Sequence, residues 1–444
     1  MRLFKEIKKM VVSLLTVTAL LTPGLTVFTT NQIQAQAATL ADSQESLNLT
    51  ARAAIAVDAK TGQVLYAKNA ETTMPVASMS KLLTAYLVLE AIHDHKLTWN
   101  QEIPVDKDSA AVSQDTSLSN VPLKTDHQYT VKSLYQAMLI YSANGATMAL
   151  GYALAGSHPA FIDLMRKQAR KFGIQDAQLY TANGLSNGEV KGAAYPGVAK
   201  NAENAMSAKD MALIGQNLLQ KYPEILKTTA MTKAEFDNGT NKTQMENWNW
   251  MLKGLSKAYT KLPVDGLKTG TSDSAGACFI GTVNKDGHRI ITVVMGSRHE
   301  GETDTARFED SQKLMSYVYN NYTYTNLAQG QSYAQAKSLA TFHGKELTVP
   351  VQTAQASHLW LQKGLTKKQI QASVMANKKL TEKNGLVAPI AQGKTVGNYA
   401  LTVKGQKLAF LNGQTSLQIP AQTKQAVQKA NIFVIGWRTL MSKL

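Results

Sequence analysis

Two serines and a lysine stand at the start of the apolar stretch VASMSKLLTAYLV. Ser78 and Lys81 are three residues apart, and on a helix this spacing places both side chains on one face, about 5–6 Å apart at Cβ. An amine at that distance can take the proton of a hydroxyl, so the pair could supply a nucleophile and its base. An ordinary amphipathic helix that begins with a serine has the same pattern. Other parts of the chain must separate the two interpretations.

The stretch YSANGATMAL supplies a second candidate pair, Ser142 and Asn144. Both residues lie where the helical pattern of 131–141 meets a glycine, so a short turn could project both side chains into a cleft. A hydroxyl there can relay a proton, and an amide can hold a substrate carbonyl and the lysine. Taken alone, the two residues would be read as caps between helices.

A third candidate group lies in VDGLKTGTSDSAGACFIG, where Lys268, Thr269 and Gly270 are expected to open a strand. A lysine beside a hydroxyl can bind a terminal carboxylate. Gly270 would let a substrate backbone lie close along the strand edge. A turn that enters a strand is the structural alternative.

The surrounding pattern predicts the elements that must position these groups. ARAAIAVDAKTGQVLYAKNAE indicates two strands with a turn from Asp58 to Gly62, and helical patterns follow from about Lys81 to Leu219. Strands return in GACFIGTVNKDGHRIITVVMGS, with a turn from Asn284 to Gly287, and ARFEDSQKLMSYVYNNY again has helical periodicity. This order favours an α+β domain in which helices pack on an antiparallel sheet.

The sequence pattern changes near Leu327. Short alternating segments such as KELTVPVQT and NYALTVKGQKLAFL predict a small all-β domain over 327–420, acting as a spacer, an interaction module or a purely structural unit. Residues 421–444 are expected to form an amphipathic helix. Its apolar stripe comprises Val427, Ala430, Val434, Trp437, Met441 and Leu444. The uninterrupted apolar run of this helix is too short to span a bilayer, so the helix would lie on a membrane surface. The alternative is that the helix docks on the β domain.

The N-terminus has the layout of a secretory signal. Arg2, Lys5, Lys8 and Lys9 precede an apolar stretch, and Ala35 and Ala37 flank Gln36, which predicts cleavage after Ala37. We expect residues 1–37 to be a signal peptide, 38–50 a linker and 51–326 the main domain. An exported chain with the single cysteine Cys278 cannot form an internal disulfide. The apolar residues around Cys278 indicate that it is a buried small side chain rather than a nucleophile.

The charge balance narrows the range of partners. The net charge is +16, and residues 1–37 hold four basic side chains and one acidic one, so the remainder carries +13. For an exported protein, the acidic partners are lipid headgroups or wall polymers, and no nucleic-acid-binding motif is present. Most of these charges form a solvated surface by default.

The three motifs and their surroundings resemble those of the penicillin-binding proteins and serine β-lactamases. DAKTGQVLYAKNA, MPVASMSKLLTAYL and DGLKTGTSDSAGACFIGT look in particular like the low-molecular-mass D-alanyl-D-alanine carboxypeptidases, over about residues 50 to 320. The resemblance implies a β-lactamase/transpeptidase-like α+β domain, followed by a small β domain and a terminal amphipathic helix. It also implies peptidoglycan stem peptides and β-lactam antibiotics as partners, at the outer face of the cytoplasmic membrane.

The resemblance further implies a two-step acyl transfer. Lys81, with its pKa depressed by burial and by Lys268, would take the proton of Ser78, which attacks the penultimate D-Ala carbonyl. Ser142 would pass the proton to the leaving D-Ala. The backbone N–H groups of Ser78 and Thr271 would hold the oxyanion. Thr271 stands where several relatives carry histidine, a departure of small consequence for a backbone role.

Two arginines are candidates for the residue that binds the substrate carboxylate. Members of the family use an arginine on the helix after the strands, and Arg307 in ARFEDSQKLM matches it best. Arg298 is the competing candidate. No cofactor or metal is expected, because only His93 and His95 are close in sequence among the eight histidines, and they are better explained as solvent-facing.

Three other functions compete with carboxypeptidase activity. A class A β-lactamase carries Ser-Asp-Asn in the second motif and a Glu-x-x-x-Asn element, whereas position 143 is Ala and no Glu from 145 to 267 has Asn four residues on. A β-lactam should therefore acylate Ser78 and remain. A non-catalytic β-lactam sensor would need a spanning segment and a cytoplasmic partner domain, which the sequence does not predict. A degenerate wall-binding module would be expected to lose motif residues, all of which are present. Endopeptidase cleavage of D-Ala cross-links is the nearest enzymatic alternative.

Overall fold

The computed structural model describes residues 40–43, 46–301 and 303–441. The predicted signal peptide lies outside the described residues. The strands of the first part of the chain are β1 (Ala53–Asp58), β2 (Val64–Lys68), β3 (Met74–Pro75), β4 (Glu102–Pro104), β5 (Gln128–Thr130), β6 (Ala205–Met206), β7 (Lys233–Asp237), β8 (Lys242–Glu246), β9 (Val264–Ser272), β10 (Gly276–Lys285) and β11 (His288–Ser297). The helices of this part are α1 (Lys81–His93), α2 (Lys107–Ser113), α3 (Val131–Ile140), α4 (Asn144–Ala155), α5 (His158–Lys171), α6 (Ala208–Lys221), α7 (Ile225–Thr229) and α8 (Ala306–Asn321).

A five-stranded antiparallel sheet organises this part, in the order β2-β1-β11-β10-β9. The predicted turn between β1 and β2 is closed by Asp58, whose carboxylate accepts hydrogen bonds from the backbone N–H of Thr61 at 2.6 Å and from its hydroxyl at 2.8 Å. Gly62 completes the turn at φ 71°, a conformation that glycine adopts without steric cost. The predicted hairpin of β10 and β11 is also present.

Both faces of the sheet are covered, as the run AAIAVD of β1 indicates, because every one of its residues is buried. Ile55 and Val57 pack into a core with α1, α3, α4 and α6. The alternate residues Ala54 and Ala56 pack into a second core, to which α8 contributes Phe308. Side chains alternate between the two faces of a strand, so a strand buried on both faces is apolar throughout. The predicted α+β domain is confirmed.

Where the structure describes it, the second part of the chain consists of β strands, three short 3-10 turns and a last α-helix. Its strands are β12 (Tyr322–Leu327), β13 (Ser338–Phe342), β14 (Thr348–Thr353), β15 (Ser357–Gln362), β16 (Ile370–Ala376), β17 (Thr381–Glu382), β18 (Gly385–Val387), β19 (Thr395–Val403) and β20 (Leu417–Thr423). Seven of them form a sheet in the order β16-β19-β20-β14-β13-β18-β17, and β12 pairs with β15. This pairing joins 322–327 to the β domain, five residues before the predicted boundary.

The terminal helix is shorter than the sequence predicts. α9 spans Ile432–Met441, whereas 421–423 belong to β20. Val427 exchanges two backbone hydrogen bonds of 2.8 Å with Ile390, and Ala430 N–H donates to His343 O at 2.8 Å. Val427 and Ala430, predicted on the helical stripe, are therefore buried in the β domain. Long-range backbone pairing, which periodicity cannot show, overrides the helical pattern here. Within the described residues, no helix combines the length and apolarity needed to cross a membrane.

A buried polar cluster joins the two parts. Asp58, at the end of β1, accepts hydrogen bonds from Nε2 of His358 and Nε1 of Trp360, each at 2.8 Å. The Gln63 side chain donates to Trp360 O and accepts from Trp360 N–H, both at 2.8 Å. Burial alone would raise the pKa of Asp58, but the hydrogen bond and charge of His358 and the bonds from Thr61 and Trp360 outweigh it and lower the pKa. The β domain is thus fixed to the first strands of the sheet.

Candidate active site

Ser78 lies in the short 3-10 turn Ala77–Ser80, and Lys81 is the first residue of α1. Because the turn runs directly into the helix, the three-residue spacing brings Lys81 Nζ to 2.7 Å from Ser78 Oγ. The lysine side chain is fully buried. The sequence therefore predicted this contact correctly, although the serine precedes the α-helix rather than lying in it.

Two further oxygens surround the Lys81 amine. Nζ donates to Asn144 Oδ1 and to Asn183 O, each at 2.8 Å. Both oxygens are acceptors only. A neutral amine has two N–H bonds and one lone pair, so with these two acceptors satisfied its lone pair faces the Ser78 hydroxyl. This is the arrangement that a general base requires.

Burial and charge both favour the neutral amine. The pKa of Lys81 is held well below its ordinary value, first by burial and then by the positive charge of Lys268. Lys268 is itself buried, and burial together with Arg307 lowers its pKa to about 7. Burial penalises an ammonium because the protein interior solvates its charge less well than water does.

Ser142 and Asn144 reach the site through the predicted turn between α3 and α4. Ser142 adopts φ 61°, a left-handed conformation that directs the chain back at this point. Asn144 begins α4, and its Nδ2 donates to Ser119 O at 3.1 Å, which orients Oδ1 toward the lysine. Ser119 was not singled out from the sequence.

Lys268, Thr269 and Gly270 lie within β9, not at its start as the sequence predicted. β9 already begins at Val264 because its first residues pair with β10, for example Leu267 with Gly281. β9 is the edge strand of the sheet, and it packs against the turn that carries Ser78. A Cβ added at Gly270 would lie 2.6 Å from Val76 O, so only glycine allows the strand to approach this closely.

The two candidate arginines have different environments. Arg307, in the first turn of α8, is buried, and its guanidinium donates to Gly270 O at 3.0 Å and Cys278 O at 3.3 Å. Arg298 is exposed and pairs with Asp304 at 3.4 Å. Only Arg307 lines the cleft that contains Ser78.

The cleft has a volume of about 390 Å³, within the range of sites for small ligands. Trp248 and Trp250 form one wall, and Trp248 is held beside the second motif by a 3.2 Å hydrogen bond from its Nε1 to Tyr141 O. The residues that line the cleft are Ser78, Ser117, Ser119, Ser142, Trp248, Trp250, Thr269, Gly270, Thr271, Asp273, His299, Asp304, Arg307 and Phe308. The tryptophans and Asn183 carry no local motif, and sequence reasoning missed them.

One group of metal-type side chains occurs among the described residues, outside the cleft. Asp106, Asp108 and His158 have ligand atoms within 4.8 Å of one another. Asp106 already accepts hydrogen bonds from His158 at 3.0 Å and from the backbone of Ser109 at 3.0 Å, where it caps α2. These contacts account for the group as a helix cap. His93 and His95 are exposed, and His93 pairs with Glu224 at 2.5 Å.

The fold and the cleft together define a serine hydrolase of the penicillin-binding class, with a helical and sheet domain followed by a β domain. The family comparison agrees. The peptidase S11 family model, described as D-alanyl-D-alanine carboxypeptidase, matches residues 37–299, and the model of the C-terminal domain of penicillin-binding protein 5 matches residues 322–429. The chain belongs to the D-alanyl-D-alanine carboxypeptidase family and is a low-molecular-mass penicillin-binding protein.

Individual relatives extend over most of the chain. D-alanyl-D-alanine carboxypeptidase DacC of Escherichia coli (strain K12) is 29% identical over 402 residues, which is 90% of each protein. The crystal structure of the peptidoglycan synthesis regulatory factor PBP3 from Streptococcus pneumoniae has a TM-score of 0.69 and 31% identity, and the match covers 85% of this chain and 99% of that one. Penicillin-binding protein D2 from Listeria monocytogenes, in its ampicillin-bound form, is 33% identical with a TM-score of 0.51, over 62% of this chain and 100% of that one.

Proposed function

We propose that Ser78 is the nucleophile that removes the terminal D-alanine from peptidoglycan stem peptides ending in D-Ala-D-Ala. The observation that carries this assignment is the environment of Lys81, whose two acceptor-only partners leave its lone pair for Ser78. The D-alanyl-D-alanine carboxypeptidase activity of the family requires a nucleophile with such a base. Asn144 acts as the group that holds Lys81 in place.

Acylation begins when Lys81 takes the proton of Ser78 and Oγ attacks the penultimate D-Ala carbonyl carbon. The backbone N–H groups of Ser78 and Thr271 stabilise the oxyanion. The peptide C–N bond then breaks, and the proton reaches the leaving D-Ala amine through Ser142. Water hydrolyses the resulting ester, which frees Ser78 and the peptide shortened by one residue.

The second part of the proposal concerns the substrate carboxylate. Lys268, Thr269 and Arg307 bind the terminal carboxylate, and Gly270 lets the peptide lie along β9. The lining of the cleft by Thr269 and Arg307 supports this role. A buried arginine beside a hydroxyl suits a carboxylate, because charge-assisted hydrogen bonds are strong where water is excluded.

The proposal extends to the location of the protein. Residues 1–37 direct export, and α9 associates with the outer face of the cytoplasmic membrane without crossing it. The exposed apolar side chains of α9 support this: Phe433, Trp437 and Leu440 are 83%, 65% and 54% exposed. They lie on one face of the helix, the arrangement that partitions into a lipid interface.

The test is D-Ala release from a synthetic peptide ending in Lys-D-Ala-D-Ala, together with mass spectrometry of the protein after mixing with penicillin. Release with a stable adduct on the Ser78 peptide is expected. An adduct without release would instead indicate a binding module, and rapid loss of the adduct would indicate a β-lactamase.

Endopeptidase cleavage is the second candidate, since the D-alanyl-D-alanine endopeptidase of Escherichia coli is 25% identical over 305 residues. A cross-linked dimer of stem peptides, tested beside the linear peptide, separates the two activities. Faster cleavage of the dimer than of the linear peptide would make endopeptidase activity the main function and carboxypeptidase activity the secondary one.

A further inference from the structure

The net positive charge that lies beyond residue 37 is concentrated in one part of the chain. Residues 38–321 contain 28 basic and 28 acidic side chains, whereas residues 322–444 contain 15 basic and two acidic ones. The net charge of +13 that remains beyond residue 37 therefore belongs entirely to the β domain and α9. Such a distribution attracts a polyanion to the β domain and leaves the catalytic part neutral.

Helix α9 is fixed to the β domain. The Arg438 guanidinium donates to Gly344 O at 2.7 Å and Lys345 O at 3.2 Å, in the loop between β13 and β14. The chain just before the helix is held to the same loop, because Ala430 N–H donates to His343 O. The side of α9 that carries Arg438 thus rests on the domain, and its apolar face is held outward.

The surface beside this attachment mixes exposed apolar and basic side chains. Leu347, in the same loop, is 64% exposed, and Val387 on β18 is 43% exposed. Val387 pairs with Phe342, and Lys383 Nζ lies 5.7 Å from the centre of the Phe342 ring. We call the group of Lys345, Leu347, Lys383, Val387 and Lys429 the distal surface.

The distal surface lies at the end of the β domain remote from the catalytic part. At one end of the β16 and β19 pair, Ile370 lies opposite Val403, close to Gln406, which donates to Trp360 O at 3.0 Å beside the catalytic sheet. At the other end, Ala376 lies opposite Gly397, near the small cavity lined by Val387 and Ile390. The six residue steps from Gly397 to Val403 along β19 separate the two ends by about 20 Å at 3.3 Å per residue.

We propose that the distal surface is a second membrane contact, specific for anionic phospholipids. Its lysines bind lipid phosphates while Leu347 and Val387 enter the interface beside α9, so the protein docks in one fixed orientation. The inference rests on the proposed membrane association of α9. A lipid surface is favoured over a soluble phosphate polymer because only a lipid surface buries Leu347, Val387 and the apolar face of α9.

The first experiment measures binding of full-length variants to phosphatidylglycerol vesicles. One variant combines Lys345→Gln, Lys383→Gln and Lys429→Gln. The matched control combines Lys363→Gln, Lys367→Gln and Lys368→Gln, three exposed lysines between β15 and β16. Both variants lose three charges from one domain, and both should keep wild-type activity on a soluble peptide.

The distal variant should bind these vesicles at least tenfold more weakly than the control. The basis is a contribution of about fivefold per lysine near an anionic surface, a contribution that falls off within a Debye length. Equal affinities of the two variants, with wild-type protein still bound, would refute the distal surface and leave the role of α9 intact. Failure of wild-type protein to bind any vesicle would refute both the distal surface as a lipid contact and the membrane association of α9.

A second experiment locates the contact. Leu347→Cys, labelled with an environment-sensitive fluorophore, should shift to shorter wavelength on phosphatidylglycerol vesicles, whereas labelled Thr366→Cys should not. Native Cys278 is fully buried and does not compete for the label. A shift with soluble poly(glycerol phosphate) but not with vesicles would assign the surface to a wall polymer and overturn the lipid assignment.

Discussion

The amine of Lys81 lies 2.7 Å from the hydroxyl of Ser78, and among the residues that the structure describes no carboxylate pairs with it. Its other partners are an amide oxygen and a backbone carbonyl, and the nearest charge that affects it is the ammonium of Lys268. Burial and the charge of Lys268 oppose the charged form of Lys81 and lower its pKa, although the two acceptor oxygens favour that form. Several expected outcomes depend on this relationship.

Ser78→Ala should abolish both D-Ala release and the penicillin adduct while the protein stays folded. The matched control is Ser80→Ala in the same turn. Ser80 Oγ accepts a 3.0 Å hydrogen bond from Asn204, which also donates to Thr181 O at 2.8 Å. We expect Ser80→Ala to retain the adduct at a cost of about 1 kcal/mol in unfolding free energy. Mass spectrometry detects the adduct in both variants, and circular dichroism checks that both are folded. D-Ala release by Ser78→Ala would disprove the assignment of Ser78 as the nucleophile.

Lys81→Arg should slow penicillin acylation by about 100-fold or more, because a guanidinium cannot act as a base near neutral pH. In the wild-type protein, the acylation rate should rise with pH as Lys81 loses its proton. The midpoint should lie below the ordinary lysine pKa of 10.5, in the direction set by burial and Lys268. Stopped-flow acylation across pH measures this, with the exposed Lys96→Arg as control. A rate independent of pH and of the Lys81 substitution would assign the base elsewhere.

Arg307→Gln should lower kcat/KM for a D-Ala-D-Ala peptide by about 10- to 100-fold, the worth of a charge-assisted hydrogen bond. Arg298→Gln should change it less than twofold. On the corresponding peptide amide, which has no terminal carboxylate, wild type and Arg307→Gln should converge. The opposite ranking of the two variants would transfer the carboxylate role to Arg298.

Asp58→Asn should reduce the unfolding free energy by about 3 kcal/mol, since it removes one partner of a buried polar pair. The folded pKa of Asp58 is lowered, so its stabilisation is present above the unfolded pKa and is lost as pH falls through the folded value. The difference between wild type and variant in guanidinium denaturation should therefore shrink below about pH 4. The exposed Asp94→Asn is the control and should leave the midpoint unchanged.

Lys268→Met should flatten the dependence of stability on alkaline pH. The folded pKa of Lys268 is about 7, so between pH 7 and the ordinary lysine pKa the unfolded chain binds more protons, and wild-type stability gains with rising pH in that window. The variant has no lysine at this position, so its stability should not gain in this way. Urea denaturation at three pH values from 7 to 10 measures how the unfolding free energy of each protein changes with pH. Parallel slopes for the two proteins would show that Lys268 is charged in the folded state.

Local sequence was sufficient for the parts of the site that depend on local geometry. Ser78 and Lys81 are joined by one helical turn, and Ser142 and Asn144 by a turn that a glycine follows. The central sheet was also predictable, because runs such as AAIAVD are buried on both faces. Motif order along the chain then indicated which residues meet.

Contacts made by long-range pairing were not predictable. Asn183 O reaches Lys81 across 102 residues of sequence, and no spacing rule reports a backbone carbonyl. The sequence predicts a helix from residue 421, but 421–423 belong to β20, Val427 pairs with Ile390, and Ala430 N–H donates to His343 O after β13. The partners of Asp58, His358 and Trp360, belong to another domain and lie 300 and 302 residues away.

The absence of room at Gly270 constrains how this cleft can evolve. A methyl group there would collide with the backbone at Val76, so selection by an antibiotic cannot widen or reshape the edge of β9 by substituting this glycine. Trp248 and Trp250 face the same space from irregular chain outside α1 and β9. Substitutions that reshape the cleft and leave Ser78 and Lys81 in place are therefore expected at lining side chains such as Trp248 and Trp250, and not at Gly270.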